Sequence, residues 1–354
     1  MNRWLLFTGG VLACGPAGRP ATPVPAVKPA LEPQPSGTTA LLQAVSAPSA
    51  AVVWVSGHAA AVLRSTDGGA TWKRLAVPGA AADSLQFRDV QAIDARTAFV
   101  LAAGPGARSR IYKTGDGGHT WERQFTNGDS SAFYDCFAFW DARHGLAFSD
   151  AVAGQFVVRI TGDGGASWPL VPAAALPPAQ RGEGAFAASG TCVAAREDRY
   201  AWIGTGAADS ARVLRTADGG HTWSIALVPI AGGAAAGLAA LAFRDTLHGV
   251  ALGGNVADPN TRTANVAVTE DGGWTWRLAP SPTFAGAVYG AAVVPGRAGW
   301  LMAVGPRGLD YSTDDGANWI SLDTLAYWSV GFGSTDVGWA VGPGGRITRI
   351  LLPR

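Results

Sequence analysis

The sequence predicts an all-β protein, and more narrowly a seven-bladed β-propeller with four-stranded blades. The first observation is an octet of residues that recurs six times and always ends in tryptophan. The second is the spacing of those tryptophans, which are 49, 47, 55, 53 and 43 residues apart, close to the period of a four-stranded propeller blade. The third is composition, since 48 glycines and 14 tryptophans in 354 residues suit many tight turns with aromatic packing.

Each octet is predicted to be a tight turn between two strands. The first copy begins at Ser65, ends at Trp72 and lies between two apolar runs. An aspartate followed by glycine between strand-like runs is a hairpin signal, because glycine reaches positive φ without steric cost. The carboxylate can accept hydrogen bonds from N–H groups of the turn, which predicts a structural role for the octet aspartates. These are Asp67, Asp116, Asp163, Asp218, Asp271 and Asp314.

A calcium loop is the alternative interpretation of so many aspartates beside glycines. Calcium requires several oxygen ligands within one loop, and most octets carry a single acidic residue. The pattern therefore favours a structural turn.

The octets resemble Asp-boxes, the Ser/Thr-x-Asp-x-Gly-x-Thr-Trp signature of BNR repeats. Six copies occur in order, and the resemblance spans about residues 40–354. It implies a β-propeller, in agreement with the spacing.

The N-terminus is predicted to direct export. A positive charge at Arg3 precedes the apolar run 4–13, which is too short to span a bilayer as a mature helix. Residues 1–14 are interpreted as a signal peptide with a lipobox-like Cys14, which becomes lipidated and places the protein in the cell envelope as a periplasmic or outer-membrane lipoprotein. An ordinary secretory signal, cut near Ala13 or Ala17, is the alternative.

Residues 15–37 are rich in proline and alanine and are predicted to form a semi-rigid tether. Residues 38–354 are predicted to form the propeller. Strands of the first blade are expected near residues 41–46, 51–56, 61–65 and 72–77. The next five blades are expected at residues 85–125, 132–171, 185–228, 236–278 and 285–322.

The seventh blade, residues 327–352, supplies only three strands and no octet. Natural proteins avoid open sheet edges. A stretch near residues 27–32 is therefore predicted to add as the outer strand of this blade and close the ring. The alternative is a three-stranded blade with a disordered tether.

Composition and motifs argue against several function classes. A formal net charge of +1 with 15% charged residues does not indicate a basic surface of the kind that binds nucleic acid. Glycine-rich stretches fall in predicted hairpins rather than between a strand and a helix, so no dinucleotide cofactor is expected. Four of the five histidines occupy repeated turn positions, and neither a metal site nor any other cofactor is predicted. The protein is expected to be a monomer.

Two cysteines remain beyond the signal peptide. Cys136 and Cys192 fall near the start of the predicted innermost strands of blades three and four. In an exported protein, two cysteines at comparable heights are candidates for a disulfide. Bridging requires Cα atoms within about 7 Å, and innermost strands of neighbouring blades can lie further apart, so two buried free thiols are the favoured interpretation and a disulfide is the alternative. No Cys-x-x-Cys motif supports dithiol catalysis.

A ligand site is predicted on one face of the propeller. Loops that precede the first strands and loops that join the second to the third strands share this face, and the octets lie on the opposite one. Loops 169–189 and 253–264 are longer than tight connections, and long loops on one face are a usual place for binding. The residues predicted at or near the channel mouth are His58, Arg88, Tyr134, Asp135, Asp150, Glu183, Asn255, Tyr289, Arg307 and Trp328.

Asp135, Asp150 and Glu183 are the candidates for catalysis. They come from adjacent blades, and a pair of carboxyl groups can act as general acid and general base in the hydrolysis of a glycosidic bond. Each could instead cap a strand end or pair with Arg88 or Arg181, and this structural interpretation is favoured. The aromatic side chains that could stack on a sugar, or simply pack, are Tyr134, Trp140, Tyr289 and Trp328.

Asp-box propellers include sialidases, xyloglucan-type endoglucanases and the photosystem II assembly-factor family. Residues 41–45 lack the arginine of the sialidase pattern, and the endoglucanases usually join two propellers. Residues 338–342 and 345–347 resemble the repeat of the single-domain assembly-factor family. This resemblance implies a non-catalytic scaffold that binds partner proteins.

The predicted function is therefore that of an exported, lipid-anchored binding or assembly scaffold that uses the loop-rich face. The alternative is a glycoside hydrolase or carbohydrate-binding protein with an acidic site at the channel mouth. The expected partner is a protein or a glycan at the propeller face, and contact with a membrane is expected only through the lipid anchor.

Overall fold

Seven antiparallel β-sheets form a ring, which confirms the predicted seven-bladed propeller. The computed structural model describes Met1 and residues 28–353; the predicted signal sequence with Cys14, and most of the predicted tether, lie outside the described residues. Each innermost strand contacts the innermost strands of the two neighbouring sheets, so the ring is closed. No helix of the described part of the chain is long and apolar enough to cross a membrane.

Strand β1 (Ala30–Gln34) precedes the first blade. Blade one contains β2 (Leu42–Ser46), β3 (Val53–Gly57), β4 (Val62–Ser65) and β5 (Lys73–Arg74). Blade two contains β6 (Phe87–Ala92), β7 (Ala98–Ala102), β8 (Arg110–Thr114) and β9 (Glu122–Thr126). Blade three contains β10 (Tyr134–Phe139), β11 (Gly145–Val152) and β12 (Gln155–Thr161).

Blade four contains β13 (Val193–Arg196), β14 (Tyr200–Gly204), β15 (Arg212–Thr216) and β16 (Ser224–Leu227). Blade five contains β17 (Ala236–Phe243), β18 (Gly249–Asn255), β19 (Val266–Thr269) and β20 (Arg277–Leu278). Blade six contains β21 (Gly290–Val293), β22 (Leu301–Gly305), β23 (Gly308–Ser312) and β24 (Ile320–Asp323). Blade seven contains β25 (Ser329–Phe332), β26 (Val337–Val341) and β27 (Ile347–Leu351).

The hydrophobic core lies between adjacent sheets. Side chains alternate between the two faces of each strand, so every blade packs against both neighbours. Between blades one and two, Trp54 and Phe87 are fully buried, and the Phe87 ring meets the edge of the Tyr112 ring with centroids 5.9 Å apart. The innermost strands are paired on one edge only, which leaves their other edge facing a central channel.

Strand β1 closes the ring as the outer strand of blade seven. It pairs antiparallel with β27, from Ala30 opposite Leu351 to Gln34 opposite Ile347. The closing strand predicted near residues 27–32 is thus confirmed, a few residues further along the chain. Pro33 is tolerated because proline, which lacks an N–H group, is acceptable on an edge strand.

Six of the blades have four strands, and blade three has three. After its octet the chain continues through Pro169, which has no N–H group and cannot complete a strand ladder. The Ile160 N–H donates to the Pro169 carbonyl at 3.1 Å, and the Val171 N–H donates to the Val158 carbonyl at 2.9 Å. The edge of β12 is therefore covered by this irregular segment rather than by a fourth strand.

The octet turns share one hydrogen-bond arrangement. In the first, Asp67 Oδ1 accepts from the Thr71 N–H at 2.9 Å and from the Ser65 hydroxyl at 2.8 Å. Ser65 Oγ in turn accepts from the Gly69 N–H at 2.8 Å. Equivalent bonds recur in the other five copies. The two glycines have φ values of 71° and 89°, a region that favours glycine.

Four innermost strands carry a β-bulge near the end where the chain enters them. The bulges fall between paired residues in β2, β6, β10 and β17. A bulge inserts one residue that is not paired and re-aims its side chain. The residues inserted in this way are Gln43, Arg88, Asp135 and Ala239. Three polar side chains of neighbouring blades are thereby placed at the same height, at the end of the channel away from the octets.

Candidate functional site

We call the propeller face opposite the octets the loop-rich face, and the other the octet face. At the loop-rich face, residues 186–191 cross the channel before blade four begins its first strand; we call this segment the strap. The Gln43 side chain of blade one donates to the Ala188 carbonyl of the strap at 3.3 Å. The Ser189 hydroxyl donates to the Tyr289 carbonyl of blade six at 2.6 Å. The strap thus reaches across the ring.

Blades five and seven hold the strap as well. The Ser329 hydroxyl of blade seven donates to the Ser189 carbonyl at 3.1 Å. The Leu241 N–H of blade five donates to the Thr191 carbonyl at 2.8 Å. Because of the strap, the first strand of blade four begins only at residue 193, eight residues later than the sequence predicts for the start of that blade.

A disulfide joins the end of the strap to blade three. Cys136, in β10, is bonded to Cys192, with the Cα atoms 6.2 Å apart and both residues fully buried. Of the two interpretations that the sequence leaves open, the structure has the disulfide. Gly190 lies so close to the Asp89 carboxylate of blade two that a Cβ atom there would clash. Together with Cys192, the residue that follows it, the strap therefore contacts all six other blades.

Beneath the strap lies a cavity of about 840 Å³ that opens at the octet face. Its lining includes Gly190 and Thr191 of the strap at one end and Arg244, Asp245 and Arg297 of octet-face turns at the other. None of the residues predicted at the channel mouth lines it. On the loop-rich face, the channel mouth is covered by the strap.

Asp135 and Asp150, on neighbouring strands of blade three, form a carboxyl pair. Asp135 is only 2% exposed, and its Oδ2 atom has no donor when both groups are ionised. A proton on one carboxyl turns the contact into a hydrogen bond. Burial, and then the charge of Asp150, raises the pKa of Asp135 well above its usual range. Burial also raises the pKa of Asp150, although the Ala185 N–H donates to it at 3.1 Å.

Arg88 lies beside this carboxyl pair, and His58 lies beside Arg88. The Arg88 guanidinium donates to Gln86 Oε1 at 2.7 and 3.2 Å. Burial lowers the pKa of Arg88, and the charge of Asp135 opposes that effect. Burial, and then the positive charge of Arg88, lowers the pKa of the half-buried His58, so the imidazole is neutral near pH 7. Blades one to three thus present a connected polar cluster, which comprises His58, Arg88, Asp135 and Asp150.

Glu183 does not face the channel mouth, contrary to the prediction. Its side chain is fully buried and forms an ion pair with Arg212, whose Nε donates to it at 2.9 Å. The Thr205 hydroxyl and the Gln180 N–H donate to the same carboxylate at 2.6 and 2.8 Å. Protein donors therefore surround this carboxylate, which anchors the long loop 169–189 to blade four.

Three other predicted residues also make structural contacts. Tyr134 is 1% exposed, and its hydroxyl accepts from Arg159 Nε at 2.6 Å, so the ring cannot stack on a ligand. Asn255 accepts from a backbone N–H two residues on at 2.9 Å, within its own turn. Arg307 is exposed and donates to the side chain of Asn260 at 3.0 Å. Of these three, Arg307 is exposed, Asn255 is half-buried and Tyr134 is buried.

Tyr289 and Trp328 form a half-buried aromatic pair at the loop-rich face. Their ring centroids are 4.8 Å apart, and they come from neighbouring blades six and seven. The strap holds both, since Ser189 bonds the Tyr289 carbonyl and accepts from Ser329, which follows Trp328. Trp140, by contrast, donates its indole N–H to a backbone carbonyl of blade four at 2.7 Å and is a packing residue.

Sequence reasoning missed the strap contacts of Gln43, Ser189 and Ser329, and it missed Arg212 as the partner of Glu183. One available signal was the stretch 185–192, which has no alternation of polar and apolar residues and so does not suit a strand. The bulges have no comparable signal, because one inserted residue leaves the apolar pattern of a short strand almost unchanged.

Within residues 28–353, no three His, Cys, Asp or Glu side chains are arranged to hold a metal ion. The polar cluster and the aromatic pair are the two side-chain groups described above at the loop-rich face. Both surround the closed channel mouth, and both are fixed by the strap or by bulged innermost strands.

No family model matches the chain, and no curated protein matches it in sequence. Solved structures do match in fold. YCF48 from Cyanidioschyzon merolae is similar over 92% of this chain and 99% of its own, with 15% identity and a TM-score of 0.65. A structure of YCF48 bound to D1 peptide is similar over 94% of this chain and 100% of its own, with 15% identity and a TM-score of 0.62.

The GH74 xyloglucanase from Xanthomonas campestris is similar over 90% of this chain, with 17% identity and a TM-score of 0.62. The match covers 53% of the enzyme, so this chain corresponds to about half of that enzyme's length. At such identities these likenesses show a shared propeller fold.

Proposed function

We propose that this protein is a non-catalytic scaffold that binds a polypeptide segment of a partner at its loop-rich face. The observation that carries the proposal is the arrangement at the closed channel mouth, where a polar cluster and an aromatic pair flank a strap that leaves no deep pocket. Such a surface suits an extended or looped segment lying across it. The similarity to YCF48, one structure of which holds a D1 peptide, supports a peptide as the bound chemistry; the identity of the partner is not transferred.

The acidic residues argue against the alternative of a glycosidase. Glycosidases hold two carboxyl groups about 5–9.5 Å apart, on either side of the scissile bond. Asp135 and Asp150 are instead in direct contact, and Asp135 is buried. Glu183 is neutralised by Arg212 and shielded from solvent. None of the three is placed to donate a proton to a bound sugar while another attacks it.

We further propose that the protein is exported and lipid-anchored at Cys14, with Asp-box turns forming the octet face. The Cys136–Cys192 disulfide supports export, because disulfides persist in oxidising compartments and are rare in the cytosol. Labelling cells with a radioactive or clickable palmitate analogue tests the anchor. Incorporation that is lost in Cys14→Ser is the expected result, and unlabelled protein would contradict lipidation.

Affinity capture with matched variants tests the binding proposal. Trp328→Ala removes half of the aromatic pair, and Trp274→Ala, at a tryptophan that is 56% exposed on an octet turn, serves as the control. We expect a polypeptide captured by the wild type to bind Trp328→Ala at least tenfold more weakly and Trp274→Ala unchanged. Equal loss in both variants, or none in either, would exclude the loop-rich face.

A polysaccharide panel tests the alternative. We expect no hydrolysis by the wild-type protein. Reducing ends released by the wild type and not by Asp150→Asn would establish the glycosidase instead.

A further inference from the structure

The strap is held differently from every other part of the channel wall. The seven innermost strands run along the channel as members of a sheet, whereas residues 186–191 are turns, bends and irregular backbone with no strand partner. The strap is held by single hydrogen bonds to Gln43, Leu241, Tyr289 and Ser329. Isolated bonds of this kind open locally more readily than a ladder does.

Its one covalent attachment to another blade is the Cys136–Cys192 disulfide. Cys136 lies within β10 and is held by a sheet, whereas Cys192 follows the strap directly. Both cysteines are fully buried. Both lie in the core between blades three and four. The strap adjoins Cys192 and is the less firmly held of the two sides, so we expect a reductant to reach the sulfurs through movement of the strap.

We propose that the strap is a gate on the central channel and that the Cys136–Cys192 disulfide is its latch. In the disulfide form the strap covers one end of the cavity of about 840 Å³, which opens at the octet face. In the dithiol form the strap leaves its seat, and the channel runs through to the loop-rich face.

The redox step is a thiol–disulfide exchange with a dithiol reductant. One thiolate of the reductant attacks a protein sulfur, the S–S bond breaks, and the departing cysteine thiolate takes a proton. The second thiol of the reductant then closes its own disulfide and releases the other cysteine. The reductant loses two electrons, and the protein gains two electrons and two protons.

Opening the gate would also alter the loop-rich face. The Tyr289 carbonyl of blade six accepts from the Ser189 hydroxyl of the strap, and the Ser329 hydroxyl of blade seven donates to the Ser189 carbonyl. Both lose these contacts when the strap departs. The oxidation state of one buried disulfide thus controls the arrangement of side chains on two distant blades, whichever partner that face binds.

Native-state reduction tests the gate without knowledge of any partner. The folded protein is incubated with dithiothreitol, free thiols are alkylated at intervals, and the reduced fraction is measured by mass spectrometry. Ser189→Ala removes the bonds made by its hydroxyl and leaves the disulfide intact. Since one such bond contributes about 1 kcal/mol, we expect reduction to become about fivefold faster.

Val266→Ala is the matched control. This fully buried valine lies between blades five and six, outside the strap contacts, so its truncation lowers global stability without loosening the strap. We expect its reduction rate to equal that of the wild type. If Val266→Ala accelerates reduction as much as Ser189→Ala does, the sulfurs are exposed by global unfolding and the gate is refuted.

Hydrogen exchange of the reduced wild-type protein supplies the second measurement, and it requires no variant to fold. We expect amide exchange to rise at least tenfold in residues 186–192 and to stay unchanged in the strands of blades one, two and seven. Unchanged amide exchange in the strap, or an equal rise in every blade, would show that the disulfide only stabilises the fold as a whole.

Discussion

Replacement of Glu183 by glutamine tests whether this carboxylate has a structural or a functional role. Glu183 has a fully buried side chain, and Arg212 retains 13% of its side-chain exposure. Glutamine keeps one acceptor oxygen for Thr205 or Arg212, but its NH₂ group then faces donors that the carboxylate now satisfies. The guanidinium is left without a counter-charge.

The expected loss follows from the burial of this pair. Removing one member of a buried ion pair costs about 3–5 kcal/mol, and the partial exposure of Arg212 favours the lower end, about 3 kcal/mol. Unfolding about 330 ordered residues carries an entropy of roughly 0.7 kcal/mol per kelvin. The melting temperature of Glu183→Gln should therefore fall by about 4 °C in differential scanning calorimetry.

Glu122→Gln is the control, because Glu122 is exposed and such surface changes are usually within about 0.5 kcal/mol. A double variant with Arg212→Met should lose less than the two single losses together, since neither charge is then left unpaired. A Glu183→Gln protein that melts within 1 °C of the wild type would refute the structural assignment. Strict additivity in the double variant would refute it as well.

Three further outcomes follow from the fold. Deleting residues 1–36 removes β1 and exposes the edge of β27, so size-exclusion chromatography should show dimers or aggregates; a monodisperse monomer would contradict closure by β1. Hydrogen bonds within the octets lower the pKa of Asp67 and of Asp163 to about 2, so their stabilisation is complete above the unfolded pKa near 3.8 and is lost as pH falls toward 2; a melting temperature that is constant between pH 4 and pH 2 would contradict this. The raised pKa of Asp135 has the opposite effect on stability. The folded state keeps a proton that the unfolded chain releases above about pH 4. The free energy of unfolding therefore falls as pH rises through the raised pKa of Asp135. Asp135→Asn should remove that decline in a pH series of denaturant titrations, and an unchanged slope would show that Asp135 is not the group responsible.

The blade count and the closing strand were predictable from the sequence, for a physical reason. A tight turn needs glycine and aspartate at fixed positions, so six copies of the turn mark six blades in the sequence itself. A sheet edge left open is unfavourable, so a three-stranded last blade indicates that a strand must come from elsewhere. Residues 30–34 supply this strand, which pairs with β27.

The candidate site was predicted only in part. Arg88 and Asp135 come together because adjacent innermost strands start at the same face, and Asp150 joins them from β11, which pairs with β10. Glu183 was misplaced because its direction depends on how loop 169–189 folds, and no repeat constrains that loop.

The strap was missed for a related reason. It replaces the beginning of an innermost strand with an irregular crossing. Its contacts join residues 100 and 140 positions apart, Ser189 with Tyr289 and Ser189 with Ser329. Local pattern holds no information about such contacts. The missing fourth strand of blade three was not predicted either, although Pro169, which cannot complete a strand ladder, lies where that strand would begin.

The most direct test of the proposed function is site-specific photo-crosslinking in envelope extracts. A benzoylphenylalanine placed at Trp328 probes the loop-rich face, and one at Trp274 probes the octet face. We expect one discrete polypeptide to be crosslinked from Trp328 and none from Trp274, with the crosslinked residues mapped to a single segment of the partner. Crosslinks that form equally from both positions, or only from Trp274, would contradict binding at the loop-rich face.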